Sequence, residues 1–262
     1  MVAVQAILIL ICLLTVIAGP AQAVTRDPVV SGTFYPADSL GLAKKVQGHL
    51  SNVDRVPQVE GDLLALIVPH AGLDCSGQTA AYAYRLLENS GIDKVILCGP
   101  SHRLRFNGIS VYGPDVDWKT PLGTVESNLE YCSSLIEKND QISSIPEAHT
   151  QEHSLEVQLP YLQEVLDRFA ITPVVMGGQD RSTISLLADA LASLKPDDRT
   201  ILIASTDWQH YRSAADGWPL DSLGIACLEQ LDVERLERLI RKGDVEACGG
   251  GPAVAVLKTV VA

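Results

Sequence analysis

Aromatic residues make up only 5% of this chain. A core with so few rings is built from Val, Ile, Leu and Ala, as expected where helices pack on a mostly parallel sheet. Basic clusters are also missing. The formal net charge is −12, and a protein that binds nucleic acid needs a Lys/Arg face to displace counterions. That composition excludes a nucleic-acid partner. No GxGxxG, GxxxxGK[ST] or GxSxG pattern occurs, so dinucleotide, P-loop and nucleophile-elbow chemistry have no motif behind them. There is no repeat, low-complexity tract or Pro/Gly/Ser linker, which leaves a single domain over residues 24–262 as the simplest organisation. Cysteines are few and scattered. Beyond residue 23 they are Cys75, Cys98, Cys132, Cys227 and Cys248, an odd set that makes no disulfide framework. The first four sit among apolar neighbours or in helical patterns and read as packing residues.

Residues 1–23 (MVAVQAILILICLLTVIAGPAQA) carry no charged side chain and are apolar from Ile7 to Ile17. That run is too short for a comfortable membrane span of roughly 20 residues. The Ala21-Gln22-Ala23 that follows suits signal peptidase. The expectation is an exported, periplasmic or secreted protein cleaved after Ala23, with an uncleaved membrane anchor or a cytoplasmic protein with a displaced start as alternatives.

Four short apolar runs read as buried strands: Leu63–Val68, Val95–Cys98, Ile171–Val175 and Ile201–Ala204. Between and beside them, helical spacing appears over Ser39–Leu50, Gly77–Leu87, Leu129–Lys138 and Ser182–Leu194. This alternation predicts an α/β fold, with helices on both faces of a mostly parallel sheet. Three of the strands run into polar residues: Pro69-His70-Ala71-Gly72, Gly99-Pro100-Ser101-His102 and Ser205-Thr206-Asp207-Trp208-Gln209-His210. Ligands of open α/β sheets bind beyond the carboxyl ends of the strands. His70 and His102 therefore belong to one polar site.

Two imidazoles suit iron, copper or zinc, and an open site needs one more donor. Cys248, in ACGGGP before an apolar helix, is placed to be a thiolate. Asp207, with His210 three residues on, is the other candidate. The segment His149–Tyr161 (HTQEHSLEVQLPY) is a further histidine source. Its spacing predicts a helix capped by Thr150, with His149, His153 and Glu156 on one face and an end or kink at Pro160. His153 is expected to face the site, with Glu156 orienting an imidazole; His149 is balanced between surface and site, and His49 reads as a solvated surface residue.

Several of these segments, in this order, resemble the Memo family, in its bacterial form termed AmmeMemoRadiSam system protein B. They are PVVSGTFYP at 28–36, IVPHAG at 67–72, GPSH at 99–102, TPLGTV at 120–125, EHSLEVQLPYL at 152–162, STDWQHY at 205–211 and ACGGGP at 247–252. The resemblance implies a three-layer αβα fold like that of the class III extradiol dioxygenases. It implies a metal site at His70, His102 and Cys248, with His153, Asp207 and His210 lining the pocket as candidate proton-transfer groups. A thiolate in place of the dioxygenase carboxylate changes the metal's charge distribution and is itself oxidisable, so ring cleavage is not expected. The implied function is a metal-dependent oxidoreductase using iron or copper. A non-catalytic module that binds a peptide, small ligand or metal is the alternative, and zinc-dependent hydrolysis is a third reading. The resemblance also implies a functional link to AMMECR1-like and radical SAM proteins. Family members continue beyond the helix after Cys248, so the chain reads as truncated at its C-terminus.

Overall fold

A computed structural model describes residues 24–261. The expected signal peptide over 1–23 lies outside the described residues. Chain order runs β1 (Val24–Arg26), α1 (Ser39–Ser51), β2 (Ala65–Val68), α2 (Leu73–Tyr84), β3 (Lys94–Pro100), β4 (Ile109–Val111), β5 (Val116–Thr120) and β6 (Gly123–Ser127). It continues with α3 (Leu129–Ile136), β7 (Ile142–Ser143), α4 (Glu147–Thr150), α5 (Leu159–Val165), β8 (Ala170–Met176), α6 (Arg181–Ser193), β9 (Thr200–Ser205), α7 (Ala214–Glu229), α8 (Val233–Lys242) and α9 (Gly250–Val261).

The strands form one mixed sheet in the order β1-β5-β6-β8-β3-β9-β2, with β4 and β7 joining beside β8. From β6 to β2 every neighbouring pair on this path is parallel. The central strands β3, β8 and β9 are buried along almost their whole length, as strands covered on both faces must be. Alternate side chains serve opposite layers. Val95, Leu97, Ile201 and Ile203 pack with α1, α2 and α5 on one face, whereas Ile96, Cys98, Leu202 and Ala204 pack with α3, α6, α8 and α9 on the other. The fold is the three-layer αβα sandwich that the sequence implied. Pro173 sits inside β8 without breaking it. On its outer side β6 makes its last pair at Ile171 and β4 its first at Val174, so the missing donor falls in a gap between ladders.

Helix ends follow the sequence. Asp38, Asn128, Asp180 and Asp232 each accept a backbone N–H in the first turn of α1, α3, α6 and α8. The second helix starts earlier than expected, at Leu73. The His149–Tyr161 segment departs most. It is not one helix: α4 stops at Thr150, which lies inside it rather than capping it, and helical structure resumes as a short 3-10 turn at Glu156–Gln158 leading into α5. Pro160 stands in the first turn of α5, where its missing N–H costs nothing. The break has a local cause. Glu152 turns inward and its Oε1 accepts the backbone N–H of His153 and of Ser154, withdrawing both donors from a helical ladder. No helix of the described residues is long and apolar enough to cross a membrane.

Candidate metal centre

The three polar strand ends are neighbours in space because β3, β9 and β2 are neighbours in the sheet. His102 follows β3, Asp207 follows β9 and His70 follows β2. The imidazole rings of His70 and His102 lie 5.1 Å apart at 83°. Cys248 arrives from the loop before α9, and close approach makes this possible. A Cβ on Gly249 would stand 2.3 Å from the Ser205 carbonyl oxygen, so only glycine lets this loop settle on the end of β9.

Ligand-type atoms of His70, His102 and Cys248 all lie within 4.8 Å of one another. Cys248 Sγ is 3.1 Å from His70 Nε2 and accepts the Asp207 backbone N–H at 3.3 Å. The other nitrogen of each imidazole is engaged. His70 Nδ1 is 2.8 Å from Ser205 Oγ. That hydroxyl gives its proton to the Ser154 carbonyl and accepts from Gln158 Nε2, so His70 Nδ1 is the donor and Nε2 keeps its lone pair for the cavity. His102 Nδ1 is 2.8 Å from Glu152 Oε1, which leaves its Nε2 facing the same cavity. Metal-binding histidines are held this way, one nitrogen to the ion and the other to an oxygen acceptor. The residues present fit a metal ion.

Charges agree with that fit. Burial pushes the Cys248 thiol up, but hydrogen bonds from His102 and His70 and the Asp207 amide outweigh it and bring it down to about 6. Burial also works against a charged His102, and its bonds to Cys248 and Glu152 reverse this, raising it to about 9. Burial would raise Glu152, yet donors from the His102 ring and backbone and from Ser154 draw it down to about 2.

Asp207 stands outside the converging set of His70, His102 and Cys248. Its Oδ1 accepts the backbone N–H groups of His70 and Ala71 at 2.7 and 3.1 Å, and its own backbone exchanges bonds with Cys248. It ties the two ligand loops together, with Oδ2 3.9 Å from His70 Nε2. His153 stands at the site, its ring 5.5 Å from that of His70 and 4.6 Å from that of His102, with Phe34 edge-on behind it at 4.9 Å. Burial, reinforced by His102, His70 and Arg103, holds His153 down to about 4, so it is a neutral base at ordinary pH. His210 lies at the rim, with Nε2 4.0 Å from Asp207 Oδ2 and its side chain 43% exposed.

Four expectations are corrected. Glu156 orients no imidazole: its carboxylate accepts from Arg26, from the Val29 and Val30 amides and from the Tyr35 hydroxyl. His149 belongs to neither surface nor site. It is wholly buried, stacked on Tyr112 at 4.6 Å and 2.9 Å from Ser110 Oγ. His49 is half-buried rather than solvated, with Nδ1 2.6 Å from the Tyr161 hydroxyl. Cys75 is exposed on α2, unlike the buried Cys98, Cys132 and Cys227. Glu152 was missed. It reads as a favourable acidic residue in the first turn of the helix expected after Thr150, and no local pattern marks it as a buried partner of His102.

Fold and site together define an αβα protein that gathers two histidines and a cysteine, a set able to hold a metal ion, at the carboxyl edge of a parallel sheet. The Memo-like protein family model matches residues 26–262, and the chain belongs to the Memo family. It is 36% identical over 240 residues to a MEMO1 family protein of Thermoplasma volcanium, covering 90% of this chain and 85% of the relative. It is 34% identical over 235 residues to one of Thermoplasma acidophilum (88% and 85%) and 33% identical over 247 residues to one of Methanopyrus kandleri (90% and 87%).

Proposed function

We propose that this Memo-family protein holds one metal ion, iron or copper, through His70 Nε2, His102 Nε2 and Cys248 Sγ, and uses it for redox chemistry on a small molecule. One observation carries the reading: three donor atoms converge within 4.8 Å while each histidine's second nitrogen is tied to an oxygen. Two imidazoles and a thiolate are a soft, nitrogen-rich set that suits iron, copper or zinc rather than magnesium or calcium. A bound ion would supply an open coordination position and Lewis acidity or electron transfer. The chain supplies the rest. His153 takes up or releases a proton beside the open face, Asp207 holds the His70 and Cys248 loops in register, and His210 hands protons between the rim and solvent.

Elemental analysis tests this on protein purified without added metal, wild type beside His70→Ala and Cys248→Ser. The expected result is near-stoichiometric iron or copper in the wild type, and its loss in both variants. Zinc alone would move the reading to hydrolysis. No metal in any of the three would overturn it in favour of a binding module. Catechol turnover with O₂ is expected to be absent.

A further inference from the structure

We infer that Glu152 is a positioning residue of this centre: it fixes the His102 ring and supplies the negative charge that makes His102 the stronger of the two imidazole donors. The inference rests on the metal reading above and adds to it an unequal pair of ligands. Glu152 is fully buried, and a buried carboxylate is costly unless its charge is matched and its lone pairs are filled. The lone pairs are filled. Oε2 accepts the His102 backbone N–H at 2.6 Å, while Oε1 accepts His102 Nδ1 at 2.8 Å and the amides of His153 and Ser154 at 2.9 Å each.

Among the described residues the Glu152 carboxylate has no lysine or arginine partner. The nearby guanidinium of Arg26 gives one N–H to the Glu152 backbone carbonyl, at 2.7 Å, and spends another on the Glu156 carboxylate. Its charge therefore falls on the His102 ring, whether that ring carries its own proton or a metal ion on its far side. Gripping both backbone and ring of one residue also fixes its side-chain torsions, so Nε2 can point only toward Cys248. His70 is held differently. Its Nδ1 meets the neutral Ser205 hydroxyl, which orients the ring but lends no charge. Approach of the Glu152 segment to β3 needs a residue without a side chain at Gly99, where a Cβ would stand 2.7 Å from Ser154 Oγ. A carboxylate behind a ligating imidazole raises its basicity and metal affinity, and losing such a partner costs about 10–100-fold in binding.

Zinc is the probe, titrated into metal-free protein against a chelator, with wild type, Glu152→Gln and Ser205→Ala compared. In E152Q the side-chain amide can still accept from His102 Nδ1, but it sets its NH₂ group against the His102 backbone N–H and carries no charge. The expected result is a loss of about 10–100-fold in zinc affinity for E152Q and a distinctly smaller loss for S205A. Equal losses, or an E152Q affinity equal to wild type, would overturn the inference while leaving the metal site intact. Wild-type protein that binds no zinc, iron or copper would remove the metal reading and this inference with it. Nitrogen-15 NMR of zinc-loaded wild type needs no variant to fold. It is expected to show His102 bound through Nε2 with a proton on Nδ1, and binding through Nδ1 would overturn the assignment.

Discussion

Glu152 and Glu156 lie one helical turn apart in sequence, and both are wholly shielded from solvent, yet they do different work. Among the described residues, every partner of the Glu156 carboxylate comes from residues 26–35: the Arg26 guanidinium at 2.7 Å, the amides of Val29 and Val30, and the Tyr35 hydroxyl. It staples that stretch to the body of the domain with its charge matched by a fixed cation. Among the described residues, Glu152 has amides and an imidazole but no lysine or arginine on its carboxylate. Two buried carboxylates of equal exposure are thus told apart by the partners of their charge. The matched one holds the fold, and the unmatched one faces the place where a cation is expected.

The sharpest way to break this contrast is to remove the staple. Glu156→Ala leaves Arg26 buried beneath Trp118, whose ring it covers at 4.1 Å, with its charge unmatched. It is expected to destabilise the protein by about 3–5 kcal/mol in urea denaturation, while the folded fraction binds zinc more tightly than E152Q does. A stability loss below that of E152Q would reverse the assignment of roles. Acid provides the next test. The His149 carbonyl accepts from Arg26 Nε, and burial together with the Arg26 charge holds the His149 ring down to about 3. The unfolded chain takes up this proton from about pH 6.5 downward, whereas the folded chain does not until about pH 3. The stability linked to neutral His149 is present above about pH 6.5 and drains away as pH falls, by about 2 kcal/mol at about pH 5. In His149→Phe the drop in urea midpoint between about pH 7 and about pH 5 is expected to shrink, and an undiminished drop would sink the assignment. The smallest effect belongs to Tyr35→Phe, which takes one of several donors from Glu156. About 1–2 kcal/mol is expected by thermal melting, with zinc affinity unmoved.

Much of the site could be read before folding was known, for a physical reason. His70, His102 and Asp207 stand directly after apolar strands, and strands of a parallel sheet end on one edge whatever their order. Cys248 could be placed only as one of two third donors from spacing, and the family motifs selected it. The segment after α4 is helical in its periodicity but not in its hydrogen bonds. Glu152 takes the amides of its neighbours, an event that depends on burying a carboxylate against β3. His149 and His49 differ from expectation for a related reason: an imidazole's burial depends on what packs over it, here Tyr112 and Tyr161 from distant parts of the chain.

The sequence by itself determined the layered α/β plan, because apolar runs of strand length alternating with amphipathic helical spacing admit few other solutions. It also determined that His70, His102 and Asp207 reach the carboxyl edge, because each stands just beyond a strand's end. The strand order placing β3, β9 and β2 side by side was decided only in three dimensions. So were the Nδ1 partners of His70 and His102 and the division of labour between two nearby carboxylates. Each of these depends on contacts between residues tens of positions apart or more, and no local pattern records which distant group will fill a buried lone pair.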